Sequence, residues 1–88
     1  MPTAALTLIG KPDCHLCDTA REVVAAVIAD LEGEASAPTV TLEELSIYDD
    51  PALLDRYAEE IPVLLVNGRV HTIWRVDPVR LRAALLEV

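Results

Sequence analysis

Eighty-eight residues suffice for one small domain, and its core must come from Val, Leu, Ile and Ala, because Phe is absent and only Tyr48, Tyr57 and Trp74 are aromatic. An apolar share of 52% marks a globular rather than a disordered chain. Fifteen acidic against seven basic side chains, a formal charge of -8, repel phosphate backbones and anionic lipid, so neither nucleic acid nor a membrane surface is an expected partner.

Ala4 to Ile9 is a short apolar run closed by Gly10 and Pro12, which predicts a buried strand and then a loop. From Leu16 the period becomes helical. Leu16, Ala20, Val23, Val24, Val27, Ile28 and Leu31 share one face, Asp18, Arg21, Glu22 and Asp30 take the other, and Gly33 supplies the stop. Glu34 to Pro38 reads as a loop and Thr39 to Ile47 as a second strand, in which the alternation of Val40 and Leu42 loses phase near Glu43 and Glu44, as a bulge would make it do. Asp49-Asp50-Pro51 joins a capping aspartate to a proline at the first helical position, opening a short helix with Leu53, Leu54 and Tyr57 inward. Ile61 to Val66 is a continuous apolar strand, Asn67-Gly68 a hairpin turn, and Arg69 to Ile73 its partner strand. Asp77-Pro78 repeats the cap and proline, and the last helix turns Leu81, Ala84, Leu85 and Val88 inward with Arg80 and Arg82 outward.

The order β-α-β-α-β-β-α favours parallel pairing of the first two strands, while the Asn-Gly turn makes the last pair antiparallel. The expected fold is α/β: a four-stranded mixed sheet flanked by helices on both faces, resembling the thioredoxin-like arrangement, in a single domain over residues 1–88. "MPTAALTLIGKP" carries no basic leader and its apolar run is too short for a signal core or a span, so a cytoplasmic, monomeric protein is expected. In that reducing compartment a lone cysteine pair is more often catalytic or metal-binding than a structural staple.

Cys14 and Cys17, the only cysteines, stand in "KPDCHLCD" at the strand-to-helix junction. There the Cys14 side chain meets the positive end of the helix dipole and backbone N–H groups without helical partners, both of which favour a thiolate. Cys17, one turn on, lies within bonding reach, which predicts a reversible Cys14–Cys17 disulfide with Cys14 as the exposed, attacking sulfur and Cys17 as the shielded, resolving one. Zinc needs about four N/S ligands; His15 lies between the thiols rather than at ligand spacing, and His71 is on another element, so no metal site is expected. The alternative reading is a protein that binds a partner or passes a soft metal, with little catalysis; two thiolates suit Cu(I), although the "VNGRV" hairpin after the second helix argues against a metal carrier's strand order.

"KPDCHLCD" after a strand, "IP" at the third strand and "DP..L..RY...IPVLLV.G" together resemble glutaredoxins, and more closely a group of short bacterial glutaredoxin-like proteins, over nearly the whole chain. The resemblance implies a thiol-disulfide oxidoreductase acting on protein or small-molecule disulfides, with no bound cofactor. It implies a cis peptide before Pro62, beside the cysteines, where an ordinary reading is a trans proline starting a strand. It implies that Ile61 offers its backbone to an extended substrate. Lys11 stands where many glutaredoxins carry a lysine facing the thiolate and glutathione's carboxylate; read alone it is a solvated loop charge. Glutathione-binding members carry Gly-Gly and then Asp after the fourth strand, whereas this chain reads Ile73-Trp74-Arg75-Val76-Asp77. Trp74 and Arg75 would crowd the glutathione approach, so weak glutathione binding is expected, with Arg75 the residue that could instead receive a substrate carboxylate.

Overall fold

The computed structural model describes residues 2–88. Seven elements follow one another: β1 (Thr3–Gly10), α1 (His15–Glu32), β2 (Thr39–Ser46), α2 (Pro51–Tyr57), β3 (Val63–Val66), β4 (Arg69–Ile73) and α3 (Pro78–Leu86). The strands form one sheet in the order β2-β1-β3-β4, with β1 parallel to β2, and the β1–β3 and β3–β4 pairs antiparallel. This is the mixed α/β sheet expected from the element order.

Alternation along β1 divides the interior into two cores. Ala4, Leu6 and Leu8 join Leu64 of β3 and pack under Ala20, Val24, Val27 and Leu31 of α1 and Leu81 and Leu85 of α3. Ile9 and Val63 turn the other way and meet Ile47 and Tyr57, with Leu45, Leu53, Ile61, Leu65 and Ile73 around them. Each fully buried side chain of this kind contributes about 1.5–3 kcal/mol. The two long helices thus cover one face of the sheet, and α2 covers part of the other.

Local chemistry sets the element ends. Asp50 accepts from the Ala52 N–H at 2.8 Å to start α2, and Asp77 accepts from the Val79 and Arg80 N–H groups at 2.9 and 3.3 Å to start α3. Asn67 (φ 51°) and Gly68 (φ 82°) are both left-handed, as a tight hairpin requires. The Asn67 carboxamide also accepts from the Ala5 N–H at 2.9 Å, fastening the turn to β1. Arg82 of α3 reaches Asp30 and Glu34 at 2.7 and 2.8 Å, exposed pairs that add little to the packing of α3 on α1.

The structure departs from the sequence reading at five places. No bulge occurs at Glu43-Glu44, because the β1–β2 register runs unbroken from Thr3↔Thr39 to Gly10↔Ser46; the irregularity lies between Leu64 and Leu65 in the β3–β4 pairing. β3 begins at Val63 rather than Ile61. Leu16 is 46% exposed, since the first buried position of α1 is Cys17. Leu54 is 40% exposed because Leu53 and Tyr57, four residues apart, take the inner line of a seven-residue helix. Val88 lies beyond the end of α3 and is exposed. No helix among the described residues is long and apolar enough to cross a membrane.

Candidate redox site at the start of the first helix

β1 ends at Gly10, and Lys11, Pro12 and Asp13 carry the chain over to α1. Asp13 takes a left-handed conformation (φ 57°), which aspartate tolerates better than most residues. Cys14 is the N-cap of α1 (φ -116°, ψ 111°): its Sγ accepts from the Cys17 N–H at 3.2 Å, while its carbonyl accepts from the Asp18 N–H at 3.0 Å. A sulfur thus fills the place usually held by a Ser or Asp oxygen.

Cys14 and Cys17 are joined as a disulfide, with Cα atoms 5.2 Å apart. The two sulfurs differ in setting. Cys14 is partly exposed, whereas Cys17 is 2% exposed and lies directly against Gly10. A Cβ on Gly10 would stand 2.9 Å from Cys17 Sγ and 3.2 Å from its Cβ, so only glycine lets the strand pass the buried sulfur at this distance.

The Ile61-Pro62 bond is cis, as the glutaredoxin resemblance implied. Pro62 is buried and Ile61 partly so, packed against the small core. The Pro62 carbonyl accepts from the Trp74 N–H at 2.8 Å, which brings the turn after β4 against the stretch leading into β3. Trp74 has φ 66°, a left-handed backbone at one of the two positions where the glutaredoxin resemblance implies glycine. Its indole N–H donates to the Glu59 carbonyl at 3.1 Å.

Two grooves flank the helix start. One reaches the Cys17 side and is lined by Gly10, Lys11, Arg21, Glu44, Ser46 and Asp49. In it Arg21 is bound by Glu44 and by Asp18, and these hydrogen bonds push the guanidinium above its usual pKa. The other is lined by Leu16 and, from the turn after β4, by Trp74 and Arg75. Lys11 and Arg75 therefore sit in different grooves, and neither makes an ion pair among the described residues. No three His, Cys, Asp or Glu side chains gather as a metal site among the described residues.

Sequence reasoning overlooked Gly10 and the outward Leu16. The signal for the first was present: a glycine at the end of an apolar strand, just before a cysteine pair, marks a close approach to the backbone.

A four-stranded mixed sheet with a Cys-x-x-Cys pair at a helix N-terminus and a cis-proline entering the third strand defines a thioredoxin-like protein. Mitochondrial thioredoxin 3 from Saccharomyces cerevisiae, in its oxidised form, superposes with a TM-score of 0.65 over 100% of this chain and 81% of its own, at 10% identity. The model of the Glutaredoxin-like domain (DUF836) matches residues 5–86, and the chain belongs to that family. The structural-genomics target protein XcR50 from X. campestris, solved in solution, is 38% identical, with a TM-score of 0.71 over 96% of this chain and 95% of that one. The uncharacterized protein Rv0508 of Mycobacterium tuberculosis is 28% identical over 83 residues, 94% of this chain and 84% of that protein.

Proposed function

We propose that this protein is a small thiol-disulfide oxidoreductase working through Cys14 and Cys17. The observation that carries the reading is the asymmetry of the pair: one sulfur is reachable and caps a helix, and the other is shielded behind it against Gly10.

In the dithiol form, the Cys14 thiolate is favoured by the helix N-terminus, whose Cys17 N–H already donates to Cys14 Sγ in the disulfide. It attacks one sulfur of a substrate disulfide; that S–S bond breaks, and the released substrate thiolate takes a proton from water. Cys17 then gives up its proton and attacks Cys14 in the mixed disulfide. The Cys14–Cys17 bond forms and the second substrate thiol leaves. Two electrons pass to the substrate, and an external dithiol returns them.

Because both electrons reside in the two thiols, no bound cofactor is required, and one copy of the chain carries every group named. The backbone of Ile61, beside Pro62, serves an extended substrate, and Lys11 adds positive charge near the pair. Substrates are protein or small-molecule disulfides, in keeping with a cytoplasmic reductant. Glutathione is a poor partner: Trp74 and Arg75 replace the glycines that would admit its γ-glutamyl end, and losing two hydrogen bonds of about 1 kcal/mol each weakens binding roughly thirtyfold.

The test is turnover of bis(2-hydroxyethyl) disulfide with dithiothreitol as electron donor. Wild-type protein should turn over, Cys14→Ser should be inactive, and Cys17→Ser should accumulate a mixed disulfide through Cys14. Undiminished activity in Cys14→Ser, or a pair that never oxidises in glutathione redox buffers, would overturn the proposal.

A further inference from the structure

The groove on the Trp74 side has a volume of about 350 Å³ and is lined by Leu16, Ala20, Val23, Trp74, Arg75 and Val76, with Thr19 as its one uncharged polar member. It starts two residues beyond Cys14.

Its two largest apolar side chains stay open to water: Leu16 is 46% and Trp74 53% exposed. Trp74 is also fixed in place. A bulky residue at φ 66° is an outlier held against a local preference of about 1–3 kcal/mol. What holds it is a pair of hydrogen bonds to the stretch before β3, N–H to the Pro62 carbonyl and indole N–H to the Glu59 carbonyl. The ring is thus set before any ligand arrives, so little freedom is lost on binding.

Arg75 is the only charged residue of the lining. It forms no ion pair among the described residues, on a chain of net charge -8. The neighbouring Asp77 does not answer it, because its carboxylate caps α3. On the Cys17 side Arg21 is already bound by two carboxylates, and Lys11, without an ion pair among the described residues, shares its groove with Glu44 and Asp49. The Trp74 groove is therefore an apolar slot with one unanswered cation, on an otherwise acidic molecule.

The geometry points to a subsite for the residues that flank the substrate's cysteine. A large apolar side chain lies against Trp74 and Leu16, and an acidic side chain next to it pairs with Arg75, so the preferred substrate is a peptide disulfide with an apolar-acidic pair beside the cysteine. As a substrate subsite this rests on the redox reading of Cys14 and Cys17; as a binding site it does not.

Trp74 is the only tryptophan, so its fluorescence reports occupancy of the groove directly. Oxidised protein is titrated with three peptides in which serine replaces the substrate cysteine and is followed by Leu-Glu, Leu-Lys or Ser-Glu. The Leu-Glu peptide should bind severalfold more tightly than Leu-Lys, since an exposed attraction in the one is set against a like-charge repulsion in the other. Arg75→Glu should reverse that order, and Leu16→Ser, a change at an exposed position, should erase the advantage of Leu-Glu over Ser-Glu. Equal affinities for the three peptides, or an Arg75→Glu protein with the wild-type order, overturn the inference. Reduction of the matching cysteine peptides as mixed disulfides should follow the same ranking within each protein, each rate taken relative to that protein's own reduction of bis(2-hydroxyethyl) disulfide, which is too small to fill the groove. Flat peptide affinities with hydroxyethyl disulfide still reduced sink the subsite and spare the redox reading. Ranked affinities without any disulfide reduction sink the redox reading and leave a peptide-binding groove.

Discussion

The two cores on opposite faces of the sheet divide the work of the molecule. The larger one runs the length of α1 and joins it to α3 through Leu6, Leu8, Leu64, Leu81 and Leu85. The smaller one is gathered at one end of the sheet, and its members are chain neighbours of the site: Ile9 precedes Gly10, Val63 follows Pro62, and Ile73 precedes Trp74. Ile47 also donates its N–H to the Gly10 carbonyl at 2.9 Å. One core makes the domain, and the other is the platform on which the three site loops rest. Stability and the placement of the disulfide should then respond to different substitutions.

Adjacent residues Leu64 and Val63 point to opposite cores, and both are fully buried. Leu64→Ala opens a cavity in the larger core and should lower stability by about 2–5 kcal/mol, a large part of the roughly 5–15 kcal/mol available to a domain. Chemical denaturation should show the midpoint fall with the reactivity of the cysteines in the folded fraction unchanged.

A sharper test compares Val24→Ala in the larger core with Val63→Ala in the smaller, both starting from 0% exposure. Each should lose about 2 kcal/mol for the same two carbons plus a small cavity. Reduced wild-type protein at limiting iodoacetamide should be alkylated first at Cys14, and only Val63→Ala should blunt that preference. Equal effects of the two variants on labelling would dissolve the distinction between the cores.

Glycine offers the same contrast without a core. Gly10→Ala pushes a Cβ against Cys17 Sγ and should destabilise the oxidised protein by about 1–3 kcal/mol. Gly33→Ala, at φ -86° with nothing nearer than 3.9 Å, should be neutral or slightly stabilising.

The smallest effect expected is on pH dependence. Burial, and then the charge of Arg80, hold the pKa of His71 below its ordinary value. The folded state therefore favours neutral imidazole: its contribution to stability is complete above the unfolded pKa and is lost as pH falls through the lower, folded one. His71→Gln should flatten that limb of the stability-pH curve and leave the plateau in place.

Much of this layout was legible because it is written in local chemistry. Asp50-Pro51 and Asp77-Pro78 announce helix starts, Asn67-Gly68 a turn, and Cys14 and Cys17 a junction. What could not be read is where long-range packing decides. Periodicity assigns Leu16 and Leu54 to inner faces, but whether another element comes to cover them depends on where each helix begins and how far it extends. β2 lost its alternation without a bulge because, as an edge strand mostly exposed on both faces, it has little burial to enforce one. The true irregularity, at Leu64 and Leu65, was hidden inside an uninterrupted apolar run. Trp74 gave no hint of a left-handed backbone, since that conformation is normally signalled by glycine.

β2 has a further consequence. It is an eight-residue strand paired on one side only, so its outer edge presents a row of backbone donors and acceptors that any extended chain could adopt. Glu43 and Glu44 lie consecutively on it, and consecutive strand residues point to opposite faces, which sets one carboxylate on each side of the edge. Glu44 is held by Arg21, but two copies paired antiparallel about Glu43 would set the two Glu43 carboxylates opposite one another, and like charges opposed across strands repel. The same Glu43 carboxylate leaves the edge open to a basic strand, so the charge that keeps identical molecules apart also sets which foreign segments the sheet could accept.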